Sequence, residues 1–253
     1  MIRISSERYR EHVEGVIKKM TPGPIIVFSC PSCGERQKKN SLNSGNTFGA
    51  ALYSDGECVA PMLPSFPFFV KCPKCNVFFT ATNIVGEYNP YDSYHDSNKN
   101  ELMFDNVEIK DIPFAEFLTI DEYKQAISEG LQYSNEEEKT EEKDDIRTMR
   151  ILMWRVYNDF VRDGKEQYIR NNKDQAYENN CQEILSALQE ESEDGYRMMR
   201  AELYRNLGDF DMSLAELEKI EEPDKFRRHI PAIRKEIENK NRLTVRVNES
   251  KEV

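Results

Sequence analysis

The sequence predicts an α+β chain, with a small β-rich unit followed by an all-α antiparallel bundle. Two observations predict the first part. Two Cys-Pro-x-Cys clips, "CPSC" at 30–33 and "CPKC" at 72–75, lie 38 residues apart. The apolar runs beside them, "IIVF" and "FPFFV", have the length and the β-branched or aromatic content of short strands. A third observation predicts the bundle. From about residue 134, apolar residues recur at three- and four-residue intervals, as one face of a helix requires.

The elements follow in order. Residues 5–20 place Tyr9, Val13, Ile17 and Met20 on one helical face, with Ser5 or Ser6 as cap. "TPGP" breaks that helix, and "IIVFSC" runs as a strand into the first clip. "NTFGAALYSDGECVAPM" reads as a hairpin, with Asp55-Gly56 supplying the positive-φ turn. "FPFFVKC" and "NVFFTATNIV" are strands flanking the second clip. Residues 1–85 thus form the β-rich unit, and residues 86–135 a connector with one helix. The connector's first half, 86–112, is rich in Tyr, Asn, Asp and Ser, and its helix starts at a Thr119 cap. Residues 136–253 form the helical domain with a short tail. Ser134 and Glu137 have capping-box spacing, and the acidic run 136–145 reads as the solvated start of a helix, with a flexible linker as the alternative. Further helices carry Met149, Leu152, Val156 and Phe160, then Tyr177, Cys181, Ile184 and Leu188. Two more occupy 193–206 and 210–221. A last one carries Ile230, Ile233 and Ile237, with Pro231 kinking or restarting it. "RLTVRV" alternates as a short strand or an ordered tail.

The chain has 253 residues and a formal charge of −11. The charge is uneven. Residues 1–80 hold ten Lys and Arg against six Asp and Glu, whereas residues 101–253 hold 24 against 37. An acidic molecule repels nucleic acid and anionic membranes over long range. The N-terminal stretch lacks an apolar core of signal-peptide length, and no apolar run approaches a membrane span. The expected compartment is the cytoplasm, where disulfides rarely persist, so the cysteines need another reading.

A Cys-x-x-Cys pair offers two sulfurs to one ion when the chain turns tightly between them. Zn²⁺ takes four such ligands in a tetrahedron, so two pairs make one closed structural site. The residue after each second cysteine falls near left-handed geometry, and Gly34 and Asn76 stand there. A thioredoxin-like redox pair instead needs a low-pKa cysteine at a helix start, and no such helix follows either clip. Another metal or free thiols remain as alternatives. Cys58 reads as a hairpin thiol and Cys181 as a core residue.

These residues resemble the zinc-ribbon family, in which two hairpin knuckles clamp one zinc. The resemblance covers residues 26–82 and implies structural Zn²⁺ on Cys30, Cys33, Cys72 and Cys75. Ribbons more often have about 15–20 residues between the pairs; the extra length here is the 46–62 hairpin. "SGNTFGAALYSDGECVAPMLP" also resembles a segment of bacterial zinc-ribbon proteins to which no activity attaches. Farther on, "RAELYRNLGDFDMSLAELEKI" (200–220) resembles one tetratricopeptide helix pair, through Ala201, Tyr204, Gly208, Phe210 and Leu217. Ser213 stands one residue short of the second small position. Arg197 and Ile220 replace the usual tryptophan and alanine, and no echo appears 34 residues earlier. The resemblance implies a groove for peptide segments. The acidic charge adds a preference for basic partners.

Of the three histidines, His12, His95 and His229, the first and last read as surface residues and His95 as part of a polar loop. No phosphate-cradling loop, nucleophile elbow or His-Glu-x-x-His occurs. The expectation is a non-enzymatic zinc protein that acts as a protein–protein adaptor. The alternatives are nucleic-acid binding through Arg36, Lys38, Lys39, Lys71 and Lys74 with Phe68, Phe69 and Phe78, or an enzyme or thiol redox sensor.

Overall fold

A computed structural model describes residues 20–89, 103–104, 107–139, 142–165 and 175–247. The helix expected over 5–20 with His12, and the loop holding His95, lie outside these residues. The described chain is α+β, with strands in its N-terminal half and seven α-helices from residue 120 onward. No described helix is long and apolar enough to cross a membrane.

The strands are β1 (Thr21–Pro22), β2 (Ile25–Ser29), β3 (Arg36–Lys39), β4 (Leu42–Ser44), β5 (Ala51–Leu52), β6 (Cys58–Val59), β7 (Phe69–Lys71), β8 (Phe78–Thr80), β9 (Ile84–Tyr88), β10 (Met103–Phe104) and β11 (Val107–Glu108). The helices are α1 (Ile120–Glu129), α2 (Glu136–Lys139), α3 (Glu142–Arg162), α4 (Gln175–Ala187), α5 (Asp194–Leu207), α6 (Phe210–Glu218) and α7 (His229–Glu238).

The described residues fall into two compact units. One gathers those up to Gly49 and those from Ala60 to Lys143; the other gathers Ala50–Val59 and those from Asp144 onward. In the first, β2 lies between β3 and β9 in an antiparallel sheet, and β7 pairs with β8 in a separate hairpin. Phe28, Val70, Phe79 and Ala81 pack there with Cys30 and Cys72 in one small buried cluster. Thr119 caps α1 in a full capping box with Glu122, as its spacing predicts. The second cap lies one residue later than expected. Asn135, rather than Ser134, accepts the first free N–H, from Glu138 at 2.8 Å. An Asn side chain competes well for that position.

In the second unit α5 and α6 form a tight helical hairpin. Gly208 ends α5 at φ 87, a left-handed turn open to glycine, and Asp209 caps α6. The helices approach closely at Ser213, which is fully buried and donates its hydroxyl to the Ala201 carbonyl at 2.7 Å. Met198, Ala201, Leu217, Ile220, Ile233 and Ile237 form the core between α5, α6 and α7. Pro231 sits in the first turn of α7, where its missing N–H costs no helical bond.

The β5–β6 hairpin, expected as added length in the ribbon, clusters with the helical unit instead. Its turn explains why. Ser54 and Asp55 are buried, and their partners are helical residues. Ser54 Oγ donates to Glu202 at 2.7 Å. Asp55 takes an ion pair from Arg162 and a hydrogen bond from Asn158 Nδ2 at 2.9 Å. The large majority of buried polar groups are satisfied in this way. "RLTVRV" is partly a strand, since Arg246 bridges Tyr53 of this hairpin.

Candidate metal centre

The two clips fold into matching knuckles, one between β2 and β3 and the other between β7 and β8. In the first, Gly34 N–H donates to the Cys30 carbonyl at 2.9 Å, and Cys30 N–H to the Glu35 carbonyl at 2.8 Å. In the second, Asn76 N–H donates to the Cys72 carbonyl at 3.0 Å, and Cys72 N–H to the Val77 carbonyl at 2.9 Å. The offsets are identical. Each knuckle closes through a left-handed residue, Gly34 at φ 71 and Asn76 at φ 63. Asn tolerates that region better than most residues with a Cβ.

The knuckles bring four sulfurs together. All four Sγ atoms lie within 4.8 Å of one another. Across the knuckles, Cys30 lies 3.7 Å from Cys75 and Cys33 3.6 Å from Cys72. A tetrahedron with metal–sulfur bonds of about 2.3 Å has edges of about 3.8 Å. The cluster therefore fits a tetrahedral ion, and the separations are far beyond the roughly 2.05 Å of a disulfide. All six cysteines are free thiols.

The electrostatics of the four thiols are divided. Burial pushes the Cys30 thiol up to about 12. The backbone N–H of Val77 holds Cys75 down at about 7. The N–H of Glu35 reaches Cys33 at the same offset, but burial and the neighbouring Cys75 and Cys72 thiols leave that thiol raised. A knuckle thus aims main-chain donors at sulfur charge, which favours thiolate and helps a cation to displace protons. Lys74 stands beside Cys33 and Cys72 and is paired with Glu35 at 3.2 Å.

Cys58 lies on β6 outside this cluster. Cys181 is fully buried on α4, where burial drives its thiol far up. His229 begins α7 half-buried, its pKa lowered by desolvation, with the Phe226 ring 6.5 Å away.

Two of the lysines expected as a basic surface, Lys38 and Lys39, are drawn inward, whereas Lys74 stays exposed. Lys38 is buried, with Nζ donating to the Ile109 carbonyl at 2.5 Å and lying over the Phe114 ring. Lys39 donates to the Ala81 carbonyl at 3.0 Å. Lys71 faces Glu122 at 3.9 Å and the Phe78 ring. Of the three phenylalanines, Phe69 and Phe78 are buried and Phe68 is exposed. Nothing in "RQKK" announces burial, because the carbonyls that satisfy these ammonium groups come from distant loops. A comparison with protein-family models, curated proteins and solved structures gave no match.

Proposed function

We propose that this chain is a non-catalytic interaction protein whose β-rich unit is built around one structural zinc held by Cys30, Cys33, Cys72 and Cys75. One observation carries the metal reading. Four thiols from two knuckles lie within 4.8 Å of one another, and two of the separations between knuckles match a tetrahedral edge. Four thiolates saturate zinc and leave no position for a substrate or an activated water, which favours a structural role. The adaptor reading draws support from exposed apolar side chains on the same unit, among them Phe48, Leu63, Phe68, Ile84 and Phe117. The nucleic-acid reading loses support because Lys38 and Lys39 are held by internal carbonyls, while Lys71 and Lys74 face Glu122 and Glu35 at the surface. Phosphate binding would need those charges free.

Metal analysis of the purified chain tests the reading, with an expected ratio of one zinc per chain. Chelation should then abolish amide protection in β2, β3, β7 and β8 while the fluorescence of Trp154, the single tryptophan and fully buried, stays native. Iron in stoichiometric amount, or knuckle protection that survives complete metal removal, would refute it.

A further inference from the structure

The helical unit holds residues 241–247 chiefly by their main chain. The Arg205 guanidinium donates to the carbonyls of Asn241 and, at 2.9 Å, Leu243. Asn206 Nδ2 donates to the carbonyl between them, that of Arg242, at 2.7 Å. Ser54 continues the row. Its N–H donates to the Val245 carbonyl at 2.9 Å, and its Oγ accepts the Val245 N–H at 3.0 Å. The Val247 N–H then reaches the Leu52 carbonyl at 2.8 Å. Glu202 is fully buried and fixes Arg205 through bonds of 2.9 and 2.5 Å. The reading groups are therefore anchored to one another as well as to the segment they read.

One feature makes the present occupant a poor fit. Thr244 is buried, and its Oγ1 has no hydrogen-bond partner. An orphaned hydroxyl weakens docking where an isosteric valine would not.

We propose that this cleft is a docking site for an extended segment of a partner protein, bound by strand addition to the β5–β6 hairpin, and that residues 241–247 fill it as a displaceable internal stand-in. Main-chain recognition supplies affinity that is tolerant of sequence, and a few side-chain positions supply the choice of partner. The fitting segment carries valine or isoleucine in place of Thr244 and an apolar residue at the position of the buried Val247. It carries a basic residue at the position of Arg242, which pairs with Glu178 at 2.9 Å. This proposal deepens the reading of the chain as an interaction protein, and its test leaves the cysteines untouched, so the two fail separately.

The probe is the fluorescein-labelled, end-capped peptide NRLVVRV, which is residues 241–247 with Thr244→Val. It is titrated into the full chain and into the full-length variant Val247→Glu, in which a charge at a buried position expels the internal segment. The variant should bind the peptide saturably and at least tenfold more tightly than the unmodified chain. A variant that keeps its helical circular dichroism yet binds no peptide overturns the proposal, as does equal affinity for both proteins. If the variant does not fold, hydrogen exchange of the unmodified chain decides. The Val245 and Val247 amides should exchange well before that of Leu203 in α5, and simultaneous exchange of all three overturns the proposal. A dimer formed by reciprocal exchange of residues 241–247 overturns it too, because a second copy is then the occupant.

Discussion

Replacing Asp55 by alanine should destabilise the helical unit by about 3 kcal/mol. The carboxylate is fully buried and pairs with Arg162, whose side chain is 3% exposed. Removing one partner of a buried ion pair costs roughly 3–5 kcal/mol, because the other charge stays desolvated. The lower end applies here. Arg162 keeps Asp159 at 2.7 Å and the Arg155 carbonyl at 3.1 Å, while Asn158 loses its acceptor. Trp154 is buried in this unit and is the only tryptophan, so its fluorescence during urea unfolding reports this unit alone. With an m-value near 2 kcal/mol per molar, the midpoint should fall by about 1.5 M. The double variant Asp55→Ala with Arg162→Met should recover part of the loss, since the stranded charge is gone. A single variant within about 0.5 kcal/mol of the parent, or a double variant whose loss equals the sum of the two single losses, would refute the reasoning.

Further outcomes follow from other sites. Metal affinity should fall as pH drops, because protons compete for the same sulfurs. Below about 7 the Cys75 thiol also holds its proton, so proton release on metal binding should rise there; calorimetry in two buffers measures it. Gly208→Ala should cost about 1–2 kcal/mol from left-handed strain, read from the same Trp154 transition. The nearest atom to an added Cβ is Arg242 Cδ at 3.4 Å, so backbone conformation rather than space sets that cost. Ser213→Leu should cost about 1–3 kcal/mol by forcing α5 and α6 apart, visible as a lower thermal midpoint.

Local chemistry was legible in the sequence wherever neighbours in the chain decide the structure. Gly34 and Asn76 follow the clips because the knuckle demands positive φ, and both adopt it. Thr119 with Glu122, and Gly208 between two helices, declare their roles within four residues. The convergence of the sulfurs was inferred from ligand chemistry, which links positions that periodicity cannot. What stayed hidden depends on partners far along the chain. Asp55-Gly56 announces a turn, and Gly56 does take φ 78. Nothing nearby says that Asp55 will be buried against Arg162, 107 residues away. Lys38 and Lys39 look like surface charge for the same reason. Long aliphatic stems let an ammonium group reach a buried carbonyl, a use that composition does not distinguish from solvation.

The excursion of the chain between the two knuckles has a temporal consequence. The hairpin at residues 50–59 is synthesised early, yet the groups that neutralise its turn lie at 158–245. A nascent chain can close both cysteine loops once residue 77 has emerged, and then leaves Ser54 and Asp55 hydrated until their helical partners are made. Pairings this remote in sequence form slowly. Chains interrupted before residue 158 would lack every helical partner of that turn.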